Sequence, residues 1–166
     1  MSVLWTYFWP PFAAALVVGL IGGRIAFRRP KRRHVARGAA LVLGLILAAV
    51  WHGPMGAGDK LAAHINRDAQ GTLDFYELSK ITAHVHRGPL SRRVMLAGPH
   101  DDFQGTELPR TMATLPGASG SRWEPAGPGV PLIVEGGLAA LLGFLFGLLL
   151  AYLIELHIRY NAQWNW

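Results

Sequence analysis

Three long stretches without a charged residue divide the chain. They run from Met1 to Gly23, from Gly38 to Gly58 and from Gly136 to Ile154. The third has 19 residues, close to the roughly 20 that cross the hydrocarbon core of a bilayer as a helix. We therefore predict an α-helical integral membrane protein with three transmembrane helices, at residues 1–27, 38–54 and 129–156.

The first two spans are less regular than the third. Pro10 and Pro11 predict that the first helix begins near that pair, because proline is tolerated in a first turn. The start MSVLWTYFWPP has no basic residue, so a cleaved signal peptide is the weaker interpretation. The strictly apolar part of the second stretch, from Gly38 to Trp51, has 14 residues and could also be a buried core helix. Extension to Pro54 brings it near spanning length.

The positive charge of the chain is concentrated between the first two spans. The formal net charge is +6, yet residues 54–128 carry eight basic and eight acidic residues. Residues 28–37 therefore form a basic loop, which is typical of the cytoplasmic side of a membrane protein and less typical of a nucleic-acid site. We expect a bacterial inner-membrane protein with its N-terminus periplasmic and its C-terminus cytoplasmic. Five basic side chains are expected to contact lipid headgroups: Arg28, Arg29, Lys31, Arg32 and Arg33.

Residues 55–126 have the pattern of a small α+β domain on the periplasmic side. Leu61, Ile65 and Ala69 recur at helical spacing after Asp59, a predicted N-cap. ITAHVHR alternates between apolar and polar residues and predicts a half-buried strand, and RRVMLAG and ASGSRW predict two more. A second helix is expected from Asp101 through Leu115. The predicted order is α-β-β-α-β.

The stretch GPHDDFQGTEL looks like a catalytic or metal-binding cluster, because a histidine stands beside two carboxylates. Asp101 and Gln104 have the spacing of a capping box, and Asp102 lies in the first helical turn, where the helix dipole favours a carboxylate. We therefore interpret the stretch as a helix N-terminus and predict no catalytic residue in it. The sequence has no GxSxG, Walker, HExxH or GxGxxG motif, and we expect no enzyme activity and no cofactor.

Three histidines are weak candidates for ligands. His84 and His86 lie at positions i and i+2 on one strand face, but a third metal ligand is not within sequence reach. His52, near the outer end of the second span, follows Ala48 by one turn, which could leave room for a tetrapyrrole. The alternative is a histidine at the headgroup level, which we favour.

The predicted periplasmic domain resembles the BON domain. The resemblance rests on the α-β-β-α-β order, on RRVMLAGPHDDF leading into a helix, and on TLPGASGSRW after it, and covers roughly residues 59–124. Ala118 replaces the usual valine, and Pro109 predicts a break or kink of the helix near Leu108. The whole arrangement is similar to uncharacterised envelope proteins of sphingomonad-type bacteria. The resemblance implies a non-catalytic domain that binds phospholipid or mediates attachment within the envelope.

Small residues recur every four positions in two of the spans, which allows close helix approach in lipid. Whether these faces pack within the chain or against a partner is left open by the sequence. Glu135 and Glu155 are expected near the two ends of the third span, and the aromatic tail 157–166 is expected at the cytoplasmic interface or on a partner. The predicted helix-packing residues are Ala15, Gly19, Gly23, Ala139, Gly143, Gly147 and Ala151.

The leading functional hypothesis is a non-catalytic accessory or scaffold subunit that packs against a larger membrane protein assembly or forms a homo-oligomer. A membrane-anchored module that binds lipid or envelope material through the BON-like domain is the second hypothesis. A pigment-binding or metal-binding membrane protein that uses His52, His84 or His86 is the third.

Overall fold

The computed structural model describes residues 3–162 of the chain. Its helices are α1 (Val3–Arg28), α2 (Arg33–His52), α3 (Ala57–Phe75), α4 (Asp102–Ala113) and α5 (Leu132–Ala162), and a 3-10 turn, Pro30–Arg32, joins α1 to α2. The strands are β1 (Thr82–Arg87), β2 (Leu90–Ala97) and β3 (Gly120–Trp123). Helices α1, α2 and α5 are long and apolar enough to span a membrane, as the sequence predicted. The tail prediction falls partly on residues 163–166, outside the described residues.

The chain forms two compact units. Within the described residues, the span unit contains residues 8–54 and 136–162, and the sheet unit contains residues 3–7 and 55–135. The sheet unit has the predicted order, α3-β1-β2-α4-β3, and is followed by the start of α5.

In the span unit, contacts between helices give the direction of each helix. Phe12 and Leu16 of α1 lie beside Gly143 and Gly147 of α5, so the two helices run parallel. Helix α2 runs antiparallel to α1, because Gly22 contacts Ala40 and Ala15 contacts Gly44. The three helices therefore alternate in direction, as consecutive membrane spans must.

Two predictions about the span unit were wrong in detail. Helix α1 begins at Val3 and continues through Pro10 and Pro11, so the prolines do not mark its start. Helix α1 ends at Arg28 and helix α2 begins at Arg33, so most of the predicted basic loop 28–37 is helical. Its N-cap, Arg32, forms no side-chain capping bond.

The sheet unit has a mixed sheet in the order β1-β2-β3, with β1 antiparallel and β3 parallel to β2. Ala83 and Val85 face the core while Thr82 and His84 are exposed, which confirms the predicted alternation of β1. Helix α3 covers the core face, and the backbone N–H of Val85 donates to Asn66 Oδ1 at 2.6 Å. The largest fully buried side chains of this core include Ile65, Leu73, Val85, Val94, Leu96 and Met112.

The start of α3 differs from the prediction. Its N-cap is Gly56, with φ of 70°, and Asp59 lies in the first turn instead of capping it. A first-turn carboxylate is still favoured by the helix dipole.

The expected break of α4 near Leu108 is absent, because α4 is continuous from Asp102 to Ala113 with Pro109 inside. A proline at position 109 leaves the carbonyl of Gly105, four residues earlier, without its helical donor. The indole Nε1 of Trp123 donates to that carbonyl at 3.0 Å. A side chain from β3 thus supplies the hydrogen bond that the helix lacks.

Candidate functional site

The small residues of α1 and α5 bring the two helices into backbone contact. A methyl group added at Gly19 would lie 2.5 Å from the carbonyl oxygen of Phe144, and one added at Gly23 would lie 2.6 Å from Ala151 Cβ. Gly143 and Gly147 face the carbonyl oxygens of Phe12 and Leu16, closer than any side chain allows. The faces that the sequence left open therefore meet each other within this chain.

Three of the four predicted α5 packing residues, Gly143, Gly147 and Ala151, lie on the contact face, and only the fourth differs. Ala139 is half-buried, whereas Ala140 is 1 % exposed and joins Ala15, Ala48 and Phe144 in a buried cluster. Large apolar side chains such as Leu145 point away from this cluster and are exposed. The outer surface of the span unit is therefore formed by large side chains.

The five predicted headgroup-contact residues lie at the junction of α1 and α2. Arg28 Nε lies 4.0 Å from Glu155 Oε2, and Glu155 also pairs with Arg159 at 3.3 Å. Arg29, Lys31, Arg32 and Arg33 are exposed, and none of them forms an ion pair with a carboxylate in residues 3–162. Most of the positive charge of this junction is therefore not neutralised by the described part of the chain.

The two strand histidines have separate partners. His84 Nε2 lies 3.2 Å from Glu124 Oε1, and His86 Nδ1 lies 3.1 Å from the carbonyl oxygen of Pro89. Among the described residues, no group of three His, Cys, Asp or Glu side chains could hold a metal ion. The geometry does not support a metal site built on His84 and His86.

His52 is the last residue of α2. From the sequence, Ala48, one turn earlier, could leave room for a tetrapyrrole beside His52. Ala48 is only 6 % exposed and packs in the buried cluster of the span unit. The small residue therefore serves helix packing, and the argument for a pigment at His52 loses its basis.

The stretch that resembled an active site is a helix cap with an aromatic stack beside it. Asp101 Oδ1 accepts from the backbone N–H of Gln104 at 2.7 Å, and Gln104 Oε1 accepts from the N–H of Asp101, which confirms the capping box. The His100 ring stacks on Trp123 with centroids 3.7 Å apart. Gly105 leaves space for this stack, because a methyl group there would lie 3.2 Å from His100 Cδ2.

An ion pair connects β2 to the first turn of α5, and the sequence did not reveal it. Arg92 Nε donates to Glu135 Oε2 at 2.6 Å, and Arg92 Nη1 donates to the carbonyl oxygen of Gly117 at 3.0 Å. The two side chains are 16 % and 17 % exposed. Glu135 was expected only at a membrane interface, and its partner lies 43 residues away in the sequence.

The proline-rich and glycine-rich segment 124–131 lies across the sheet face opposite α3. Glu124 contacts His84, Arg93 Nη1 donates to the carbonyl oxygen of Gly127 at 2.7 Å, and Ser91 pairs with Pro131. Met95, the strand partner of His84, is consequently only 2 % exposed. The segment therefore covers part of this face, while Thr82 and His84 on the same face are exposed.

One open surface of the sheet unit carries exposed aromatic rings. It is a groove between the α3–β1 connection and α4, and we call it the aromatic groove. Phe103 is 75 % and Tyr76 is 53 % exposed, and Phe75, in edge contact with Tyr76, is 80 % exposed. The groove contains a cavity of about 440 Å³ lined by Tyr76, Leu78, Asp101, Phe103, Gln104 and Glu107.

The aromatic groove carries more carboxylates than cationic groups. Glu77 and Lys80 line a second cavity of about 400 Å³ that shares Leu78, Asp101 and Gln104 with the first. Among the carboxylates, Asp101 caps α4 and Glu107 pairs with Arg110 at 2.8 Å. Glu77 forms no ion pair with another described residue, so the groove favours a cationic group.

Exposed aromatic side chains next to carboxylates could not be located from sequence alone. Phe75 and Tyr76 end α3, and Phe103 begins α4, so only the fold brings them to one surface. No motif in the sequence marks these positions.

The chain matches no family model, no curated protein and no solved structure.

Proposed function

We propose that this chain is a non-catalytic accessory or scaffold subunit of the bacterial inner membrane. Its partner-binding surface is the aromatic groove of the sheet unit, which lies on the periplasmic side. The occupant is a protein segment of a membrane partner that carries a basic side chain beside an apolar one. The single observation that carries this proposal is the pair of exposed rings, Tyr76 and Phe103, on a groove lined by carboxylates.

Exposed aromatic rings support a protein partner for a physical reason. Soluble domains rarely leave several large rings exposed together, because the apolar area would remain in contact with water. Aromatic residues are enriched in the cores of protein interfaces, where they bury a large area with few rotatable bonds. Phe103, 75 % exposed beside the cavity, is the expected anchor.

The small-residue faces no longer support partner binding by themselves. They are occupied by the contact between α1 and α5. The sheet unit is therefore the better candidate for the partner-binding surface, and a homo-oligomer through Gly143 and Gly147 is disfavoured.

The second hypothesis is a module that binds lipid or envelope material through the same domain. The α-β-β-α-β order supports the resemblance to BON domains, and a BON-like identity of the sheet unit is part of this proposal. The charge of the groove argues against anionic lipid, because Glu77, Asp101 and Glu107 would face headgroups of the same sign. We therefore favour the protein partner.

The test is co-purification of full-length protein in mild detergent, with wild type compared to the double variant Tyr76→Ser/Phe103→Ser. The matched control is Lys60→Ser, an exposed residue of α3 that does not line the groove. We expect a stoichiometric membrane partner with wild type and with the control, and its loss with the groove variant.

Two results would contradict the proposal. One is a partner that the groove variant retains at the wild-type amount. The other is a wild-type protein that purifies alone and whose binding to phosphatidylglycerol vesicles falls with Tyr76→Ser/Phe103→Ser, which would establish the lipid-binding alternative.

A further inference from the structure

The span unit has an open groove of its own, separate from the aromatic groove. It lies between α1 and α2, next to the 3-10 turn that joins them, and we call it the α1–α2 groove. Its cavity of about 400 Å³ falls within the range of roughly 300–1,000 Å³ that is usual for ligand pockets. Its walls are formed by Val18, Ile21, Ile25, Val35, Ala39 and Leu43.

Small residues at the floor of the groove explain its shape. Gly22 touches Ala40 Cβ, and a methyl group on Gly22 would lie 3.3 Å from the carbonyl oxygen of Ala36. The two helices therefore approach closely at the floor, while larger residues stand on either side. Ile21 and Val35 on the walls are 56 % and 73 % exposed. An apolar channel thus remains uncovered by residues 3–162.

One end of the α1–α2 groove is cationic. Arg29 and Arg32 line it, and neither forms an ion pair with a carboxylate in the described part of the chain. Arg28, which does not line the groove, is the one that approaches Glu155. The two groove arginines are therefore available to an external anion.

The start of α2 adds to the positive potential at this end. The first turn of α2 has no acidic residue, and its N-cap, Arg32, makes no side-chain cap. The helix dipole favours an anion at this position, and the basic N-cap, Arg32, has the unfavourable sign for the dipole. An anionic group between Arg29 and Arg32 would resolve this conflict.

We propose that the α1–α2 groove binds one anionic phospholipid of the bilayer. An acyl chain lies along the apolar walls, and the phosphate lies between Arg29 and Arg32. A soluble phosphate would leave the walls uncovered, and an apolar helix of a second copy would leave the arginines unneutralised. An anionic phospholipid both covers the apolar walls and neutralises the two arginines. This inference does not depend on the proposed partner of the aromatic groove.

The experiment uses full-length protein that has been delipidated in mild detergent. Native mass spectrometry counts bound lipids as the protein is titrated with phosphatidylglycerol or with phosphatidylcholine. The headgroup variant is Arg29→Gln/Arg32→Gln, and its control, Lys31→Gln/Arg33→Gln, removes the same charge from the same turn without changing a groove residue. The chain variant is Ala39→Phe, which fills the groove, and its control is Ala49→Phe, on an exposed position of α2 outside it.

We expect one phosphatidylglycerol molecule to bind the wild type more tightly than phosphatidylcholine. Arg29→Gln/Arg32→Gln should weaken that binding roughly tenfold, and Lys31→Gln/Arg33→Gln by no more than about twofold. Ala39→Phe should weaken it although every arginine is present, and Ala49→Phe should not.

Equal losses in the two charge variants would overturn the proposal, because they would indicate diffuse attraction of lipid to the basic turn. Equal binding of the two lipids would also overturn it. If Ala39→Phe fails to fold by circular dichroism, the comparison of the two charge variants still decides the question.

Discussion

The span unit and the sheet unit are packed by opposite rules. In the sheet unit the buried residues are large, such as Ile65, Leu73 and Leu96. In the span unit the buried residues are mostly alanine and glycine, with Phe144 as the large exception, while leucines such as Leu145 point outward. Large apolar side chains are therefore buried in one unit of the chain and exposed in the other.

The difference indicates which solvent each unit meets. In water, burial of apolar area is the main driving force, so large apolar side chains collect in a core. In lipid, a leucine gains little by leaving the acyl chains, and helices associate where small residues let backbones come close. The arrangement of side chains in α1, α2 and α5 is the one that a bilayer requires.

The largest effect is expected at the buried ion pair of the sheet unit. Arg92→Ala leaves Glu135 without its charged partner in a site where both side chains are mostly buried, which should cost about 3–5 kcal/mol. Arg110→Ala removes the exposed partner of Glu107 and should cost no more than about 1 kcal/mol. Denaturant unfolding of the full-length protein in detergent measures both, and equal effects would show that the Arg92 pair is solvated.

Matched truncations compare the two packing rules directly. Ile65→Ala should destabilise the sheet unit by about 2–5 kcal/mol, because it empties part of a fully buried site. Leu145→Ala removes a large side chain from a position that is 50 % exposed and should cost far less in detergent. Equal losses in unfolding experiments would mean that Leu145 is buried, contrary to a lipid-facing surface.

Two glycine-to-alanine substitutions in α5 are expected to have opposite effects on stability. Gly143→Ala places a methyl group against the Phe12 carbonyl and should destabilise the span unit by about 1–3 kcal/mol. Gly137→Ala meets nothing within 4 Å and should stabilise α5 by about 0.5–1 kcal/mol through helix propensity. Unfolding in mixed micelles, followed by circular dichroism, distinguishes the two. Stabilisation by both would rule out the close contact between α1 and α5.

The smallest effect is expected at the cap of α4. Asp101→Ala removes the acceptor for the Gln104 N–H and should lower the stability of the sheet unit by about 1 kcal/mol. Asp101→Asn keeps an acceptor and should have little effect. A large loss of stability with both variants, seen as a shift in the thermal midpoint, would mean that the carboxylate does more than cap the helix.

Features that depend on neighbours in sequence were predictable. Charge-free runs identified the three spans, the two-residue period identified β1, and the spacing of Asp101 and Gln104 identified the cap of α4. Each of these arises from interactions within a few residues or with the solvent. For the same reason, the role of Asp101 beside His100 as a helix cap was predictable.

Features that depend on distant residues were not predictable. Pro109 indicated a broken helix because its missing hydrogen bond is local, whereas the compensating donor, Trp123, comes from another element. Arg92 and Glu135 lie 43 positions apart. The burial of Ala140 in place of the predicted Ala139 likewise depends on how α5 is rotated against α1, which a four-residue spacing does not determine.

The aromatic groove was not predictable from the sequence for the same reason. Its rings come from the end of α3 and the start of α4, and its carboxylates come from both elements and the connection between them. Composition indicated a neutral domain, since basic and acidic residues balance in residues 54–128. Only the fold reveals that carboxylates gather beside exposed aromatic rings.

The most direct test of the account is the sidedness of two engineered cysteines, since the chain contains no cysteine of its own. Ser79→Cys lies on the exposed α3–β1 connection, and Lys31→Cys lies on the exposed turn between α1 and α2. In intact bacterial spheroplasts, a membrane-impermeant maleimide should label Ser79→Cys at once and Lys31→Cys only after the membrane is permeabilised. Labelling of both sites before permeabilisation, or of Lys31→Cys alone, would contradict the proposed topology, in which the basic turn is cytoplasmic and the sheet unit periplasmic.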